Sequence, residues 1–255
     1  MVNPMDIIQI ENYYITYADG AESLRKINLR IKTNAINVLF GPAGGGKSTL
    51  LRAINRLNDL TDVKEVKGRI LFKGKDILDP KLDVTELRRK IGIVFSRPMP
   101  LPMTVSQNVS YGLEVAGERD RRKLDEAVEK ALRLAFLWDE VYDRLNDPAN
   151  AISGGQQQRL CMARVLALEP EVIMLDEPTS ALDPVSTARI EDLLQDLKAK
   201  YTIILVPHNV QQSSRMADHA SFFLQSELIE TGEGKKLFVA PKDKRTQDYV
   251  EGRFG

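Results

Sequence analysis

Cysteine occurs once in this chain, at Cys161. An internal disulfide is therefore excluded, and the composition suits a reducing compartment. The setting Leu160-Cys161-Met162-Ala163 has the character of a packed helix face, where the thiol fills core rather than reacts. Neither charge is in excess: 36 Lys and Arg stand against 36 Asp and Glu. That balance carries no overall field toward nucleic acid or an anionic membrane, and no nucleic-acid partner is expected. Apolar runs long enough to span a bilayer are missing. Asp6 and Glu11 interrupt the apolar residues near the start and no cleavage site follows, so no secretory leader is expected. Long heptad runs and cysteine clusters are absent too, which argues against a coiled coil or a zinc finger. With 255 residues, 43% hydrophobic and 28% charged, the chain can build one large α/β domain or one carrying a small insertion.

Against this ordinary background one stretch stands out, Gly41-Pro42-Ala43-Gly44-Gly45-Gly46-Lys47-Ser48-Thr49. It fits G-x-x-x-x-G-K-[ST], with the apolar run Ile36, Val38, Leu39, Phe40 before it and a helical pattern after it. Glycines let successive backbone N–H groups point inward at phosphate oxygens. The helix that follows aims its positive end at the same anion. Lys47 supplies a mobile charge for the β- and γ-phosphates, and the Ser48 hydroxyl can ligate Mg²⁺. A nucleoside triphosphate is the implied ligand.

Residues 6–40 alternate apolar and polar in short runs around a turn signal at Asp19-Gly20, and are expected to be strands. Tyr13, Tyr14 and Tyr17 lie there; an aromatic ring can stack on adenine, and equally can be a plain strand residue. After a polar bridge at Asn58–Asp62, a strand is expected over Gly68–Gly74, a short helix over Glu86–Lys90 and a buried strand over Ile91–Phe95. Pro98, Pro100 and Pro102 stiffen the loop Ser96–Met103. Beyond it Leu124, Val128, Ala131, Leu132 and Ala135 form a helical stripe, so residues 97–165 are expected to be a mostly helical insertion.

Ser153-Gly154-Gly155-Gln156 follows, with Ser153 as a good N-cap and glycines that permit close backbone approach. Val172–Leu175 is an apolar strand ending in Asp176 and Glu177. The first acid can hold Mg²⁺ and the second can accept a proton from an attacking water. Ser180-Ala181-Leu182-Asp183 leads into a helix, and the strand Tyr201–Val206 ends in Pro207-His208, at the edge where open α/β sheets bind ligands. From His219 onward the chain is expected to form strand, turn, strand and a final helix.

In this order the stretches resemble the ATP-binding subunits of ABC transporters: Gly41–Thr49 as Walker A, Ser153–Gln157 as signature, Val172–Asp176 as Walker B, then Glu177, the D-loop Ser180–Asp183 and the switch histidine His208. Arg97–Met103, Gly154–Cys161 and Thr246–Gly255 are most similar to the phosphate-importing members. The resemblance implies an α/β P-loop NTPase fold of ABC type, with a RecA-like core, an N-terminal antiparallel β subdomain and an inserted α-helical subdomain. It implies a single domain over 1–255, core and β subdomain at about 1–96 and 166–255, helical subdomain at 97–165. It also implies ATP with Mg²⁺, the metal held by Ser48 and Asp176, with adenine stacking assigned to Tyr17. Lys47, Glu177 and His208 take the catalytic roles. Two copies close head to tail, so that Ser153, Gly154, Gly155 and Gln156 contact the ATP of the other copy. The implied partners are two transmembrane permease subunits and an extracytoplasmic phosphate-binding protein, at the cytoplasmic face of the cell inner membrane.

One departure is notable. Where the family carries the Q-loop glutamine, which reaches toward Mg²⁺ and the attacking water, this chain has Ser96. A serine hydroxyl is too short to do so without a bridging water. Slower hydrolysis or altered coupling is expected, and a slow-hydrolysing regulator or an importer of another solute is the alternative. A soluble chromosome- or repair-type ATPase is disfavoured by the missing coiled coil, zinc fingers and basic face.

Overall fold

A computed structural model describes residues 6–254. Residues 1–5 of the single-domain expectation and Gly255 of the Thr246–Gly255 stretch lie outside them. In chain order the elements are β1 Asp6–Tyr17, β2 Glu22–Lys32, β3 Ile36–Phe40, α1 Lys47–Ile54, a 3-10 turn Leu57–Leu60, β4 Val63–Phe72, β5 Lys75–Asp76, α2 Val84–Lys90 and β6 Ile91–Val94. A helical segment follows: α3 Val105–Val115, α4 Arg121–Leu134, α5 Trp138–Val141, a 3-10 turn Ala149–Ala151 and α6 Gly154–Leu166. The chain then returns to β7 Val172–Asp176, α7 Pro184–Leu197, β8 Thr202–Val206, α8 Val210–Met216, β9 His219–Leu224, β10 Glu227–Glu233, α9 Gly234–Val239 and α10 Lys244–Val250.

Two sheets organise these elements. The first is antiparallel, in the order β2-β1-β4-β5. Along β1 the buried set changes parity, from Ile8 and Ile10 to Tyr13 and Ile15. A register shift between Ile10 and Tyr13, with Asn12 in the left-handed region, resets the alternation so that both halves face the same core. That bulge also explains why β4 begins at Val63, five residues before the expected start. Gly68 lies inside the strand against this bulge, where a Cβ would sit 2.1 Å from the Asn12 carbonyl oxygen and only glycine fits.

The second sheet runs β10-β9-β3-β8-β7-β6, parallel throughout except for the β9–β10 edge. Its central strands are apolar at nearly every position because both faces are covered. Val38, Phe40, Ile173, Leu175, Ile203 and Leu205 pack toward Leu160 and Ala163 of α6 and Ile190 and Leu194 of α7. Leu39, Met174, Ile204 and Val206 face the other way, into a core shared with Leu50, Leu51 and Ile54 of α1 and with Ile8, Ile10 and Ile15 of the antiparallel sheet. Truncating a buried leucine costs about 2–5 kcal/mol, whereas helix propensity differs by less than about 1 kcal/mol per residue. Packing at Leu50 and Leu51, both fully buried, therefore decides where α1 lies.

In α4 the expected stripe is buried at Leu124, Val128, Ala131 and Leu132, and Asp120 caps its first turn through Arg122 N and Lys123 N. The tail departs from expectation: α9 and α10 replace one final helix. Pro241 is the reason, since a proline disfavours helical backbone at the residue before it, and α9 ends at Val239.

Candidate nucleotide-binding and hydrolysis site

Strands β3, β8 and β7 lie side by side and parallel, so their carboxyl ends open on one edge of the sheet. The loop 41–46 leaves β3 there, Pro207-His208 leaves β8, and Asp176-Glu177 ends β7. This strand order brings together residues more than a hundred positions apart.

The loop starts with Gly41 at φ +137, pressed against β9: a Cβ would lie 2.0 Å from the Phe223 carbonyl oxygen. It ends with Gly46 as the N-cap of α1, a helix with no side-chain cap and no acid in its first turn. The free N–H groups and positive end of α1 are thus directed at the loop. Lys47 Nζ donates to the carbonyl oxygens of Gly41 at 2.7 Å and Pro42 at 2.8 Å. Burial pulls the Lys47 pKa down, while the nearby carboxylates of Glu177 and Asp176 oppose that shift. Pro42 is half-buried, Ala43 and Gly44 are exposed, and Gly45 is buried with its N–H donating to the Pro42 carbonyl at 3.3 Å.

Ser48 Oγ donates to Asp176 Oδ1 at 3.1 Å, joining α1 to the end of β7 across 128 residues. Glu177 has φ +48, and its N–H donates to the Val206 carbonyl at 2.8 Å. A left-handed non-glycine residue costs of order 1–3 kcal/mol and persists only where neighbours hold it. Here the β8 end holds it. His208 is exposed, and its backbone N–H donates to Gln212 Oε1 at 3.0 Å.

Tyr17 is half-buried at the end of β1. Its hydroxyl donates to Asn58 Oδ1 at 3.3 Å, and Asn58 Nδ2 donates to the Thr49 carbonyl at 3.1 Å, which tethers the ring to α1. Tyr13, by contrast, is buried, and burial pushes its phenol well above the ordinary range.

Other expected residues lie apart from this cluster. Ser96 is half-buried and makes no hydrogen bond to Ser48 or Asp176; the preceding Phe95 carbonyl accepts from Gln158 Nε2 of α6 at 2.9 Å. Ser153 caps α6, its side chain accepting from Gln156 N at 3.3 Å while Gln156 Oε1 accepts from Ser153 N at 2.9 Å. Ser153 and Gly154 are exposed. Gly155 is buried against the start of α7, where a Cβ would meet Ser186 Oγ at 2.5 Å. Ser180 is exposed, and Asp183 caps α7 through Val185 N and Ser186 N.

Sequence reasoning missed the groups that fasten these pieces. Glu140 of α5 accepts from Gln156 Nε2 at 3.0 Å, from both terminal nitrogens of Arg159 at 2.9 and 2.8 Å, and from Arg189 of α7. The Arg159 hydrogen bond is the main cause that holds the Glu140 carboxyl below the usual range. Gln212 and Thr179 likewise join the segments after β8 and β7. No spacing rule links positions so distant in the chain.

Among the described residues no three or more His, Cys, Asp or Glu side chains are grouped so that they could hold a metal ion. No helix among them is long and apolar enough to cross a membrane.

Comparison with known proteins agrees with this geometry. The ABC transporter family profile matches residues 24–180. The chain is 50% identical to the phosphate import ATP-binding protein PstB of Pseudoalteromonas translucida (strain TAC 125), over 97% of this chain and 90% of that protein. Among solved structures it resembles cbiO1 of Clostridium perfringens, part of the ABC transporter complex cbiONQ, with TM-score 0.80 and 30% identity over 97% of this chain and 96% of that one. It also resembles a dimeric post-hydrolysis ATP-binding cassette bound to ADP and Pi, with TM-score 0.76 and 29% identity over 89% of this chain and 98% of that one. The fold is that of an ABC-type P-loop ATPase, and the chain belongs to the ABC transporter family as one of its ATP-binding members.

Proposed function

We propose that this chain is the ATP-hydrolysing subunit that powers import of inorganic phosphate through a membrane ABC transporter. The observation that carries the reading is the 50% identity to a phosphate import ATP-binding protein across 97% of the chain. The sheet-edge cluster of Lys47, Ser48, Asp176 and Glu177 supplies chemistry suited to it.

The loop N–H groups and the start of α1 cradle the phosphates, with Gly41 to Thr49 as the binding segment. Lys47 exchanges its carbonyl contacts for the β- and γ-phosphates, and its partial burial strengthens that attraction. Tyr17 offers its ring to adenine, steadied through Asn58. The oxygen donors Ser48 and Asp176 suit Mg²⁺, which takes one or two protein oxygens and completes its shell with phosphate and water. When bound, that ion neutralises charge on the β- and γ-phosphates. Glu177 accepts the proton of the attacking water as the oxygen bonds to the γ-phosphorus; the bond to the bridging oxygen breaks, and ADP leaves with that electron pair. His208 contacts the γ-phosphoryl group and stabilises its transition-state charge.

Ser153, Gly154, Gly155 and Gln156 serve the ATP of a second copy in a head-to-tail dimer, the D-loop residues Ser180 and Asp183 lying at that junction. That one of the similar structures is a dimeric ATP-binding cassette supports a dimer. We divide the chain into a core at about 1–96 and 166–255 and a helical subdomain at 97–165, a reading supported by the run of helices α3–α6 between β6 and β7, the last of which extends to Leu166. Two transmembrane permease subunits and an extracytoplasmic phosphate-binding protein complete the transporter, with this chain peripheral at the cytoplasmic face of the inner membrane. Closure and reopening around ATP drive transport.

The test uses tagged chain carrying Glu177→Gln, which holds the closed state, captured with ATP from native membranes. Recovery of two multi-spanning proteins is expected. The complex rebuilt with wild-type chain should show ATPase stimulated by binding protein loaded with phosphate and not by the unloaded protein. Stimulation by a binding protein loaded with a different solute only would overturn the phosphate assignment, and recovery of soluble partners alone would overturn the importer.

A further inference from the structure

The proposed hydrolytic pair, Glu177 and His208, lies just beyond neighbouring strand ends that the Glu177 N–H to Val206 carbonyl bond already joins, and one buried side chain links the segments past that bond. Gln212, on α8, is 3% exposed, and Thr179, two residues after Glu177, is 6% exposed. Gln212 Oε1 accepts the backbone N–H of His208 at 3.0 Å. Gln212 Nε2 donates to Thr179 Oγ1 at 3.0 Å and to Glu191 Oε1 of α7 at 3.0 Å. The Gln212 backbone N–H is separately satisfied by Asn209 Oδ1 at 2.8 Å. One amide thus spans the segment after β8, the segment after β7 and the helix that follows the D-loop. Asn209 alone would suffice to cap α8, so helix stability does not require this side-chain arrangement.

We propose that Gln212, acting through Thr179, is a positioning residue that locks the His208 segment and the Glu177 segment into one unit. The His208 side chain is exposed and its backbone follows Pro207, so the Gln212 bond is the contact that fixes where the ring starts. Glu177 has a left-handed backbone that tolerates little displacement, and Thr179 ties its far side to the same amide. Buried polar groups connected in this way are rigid when every member is satisfied. Movement of either strand end is transmitted to the other, so both groups reach the γ-phosphoryl together. ATP binding depends instead on the loop 41–46 and α1, which Gln212 does not contact.

This inference rests on the chain being an ATPase, and the test separates the two. Threonine and valine have the same shape, whereas threonine and serine share the hydroxyl. Steady-state ATPase of the full-length chain is measured for wild type, Thr179→Ser, Thr179→Val, Gln212→Leu and the Thr179→Val/Gln212→Leu double variant. Thr179→Val should lower kcat about tenfold, because a misplaced reacting group loses rate steeply with distance, and should leave KM within about twofold. Thr179→Ser should retain kcat. The double variant should be no worse than its poorer single parent, since the two groups act as one unit. Wild-type kcat in Thr179→Val, an equal fall in Thr179→Ser, or losses that multiply in the double variant would each overturn the inference while leaving the ATPase intact. Inactive wild-type chain would overturn the proposed function and this inference with it. Should Gln212→Leu fail to fold, the Thr179→Val and Thr179→Ser comparison still decides.

Discussion

Placing a methyl group on Gly41 asks the phosphate loop to do two things its surroundings forbid. Its φ of +137 lies where side chains are rarely tolerated, a strain of about 1–3 kcal/mol. The new Cβ would also sit 2.0 Å from the Phe223 carbonyl oxygen and 3.0 Å from its carbon, both backbone atoms of β9 that cannot rotate away. Overpacking of this kind costs about another 1–3 kcal/mol, so Gly41→Ala should destabilise the fold by roughly 2–6 kcal/mol. Gly44, in the same loop, is the control. Its φ is +74 but a Cβ there meets nothing within 4 Å, so Gly44→Ala should cost only the left-handed penalty of about 1–2 kcal/mol. The loss of unfolded-chain freedom is the same in both substitutions and cancels in the comparison. Urea unfolding followed by far-UV circular dichroism should show a lower midpoint for Gly41→Ala than for Gly44→Ala, with unchanged slope. Coincident midpoints would refute the reasoning, because they would mean that contact with β9 does not hold the loop.

Glu177→Gln should lower kcat by about 10²–10⁴ while ATP binding persists, as measured by turnover and by nucleotide protection against unfolding. Ser96→Gln should raise ATPase activity roughly two- to tenfold, the effect of one added polar contact worth about 0.5–1.5 kcal/mol; an unchanged or lower rate would sink the assignment of Ser96 as a weakened Q-loop. Glu140, whose carboxyl is held low chiefly by Arg159, contributes stability that is present above the ordinary carboxylate pKa and lost as pH falls through its depressed folded value. Acid titration of the unfolding midpoint should therefore flatten in Glu140→Gln, and an acid limb as steep as wild type would show that the Arg159 pair does not contribute.

The proposed catalytic centre was legible where chemistry demands particular residue types in consecutive positions. A phosphate needs inward N–H groups and a cation, so glycines and Lys47 announce a binding loop, and the apolar run before Asp176-Glu177 announces a strand delivering acids to an edge. Ser153 was legible as a cap because its partner, Gln156, is three residues away within a single turn. Local pattern also marked the buried strands and the stripe of α4.

Legibility stopped at partners supplied from elsewhere in the chain. Gly68 punctuates the sequence like a strand end, yet the Asn12 bulge places it inside β4. Nothing near Glu140 names Arg159 or Arg189, 19 and 49 residues on, and nothing near Thr179 names Gln212, 33 residues on. A hydrogen bond is set by distance and direction between side chains, and both arise only when packing fixes the angles between elements. Sequence alone determined the phosphate loop, the acids, the capping residues and the alternation that makes the strands, because these depend on neighbours within a few positions. Tertiary structure alone decided that β3, β8 and β7 are adjacent, that Ser48 therefore meets Asp176, and that buried Gln212 and Arg159 bind distant segments, because burial of apolar faces brings those positions together.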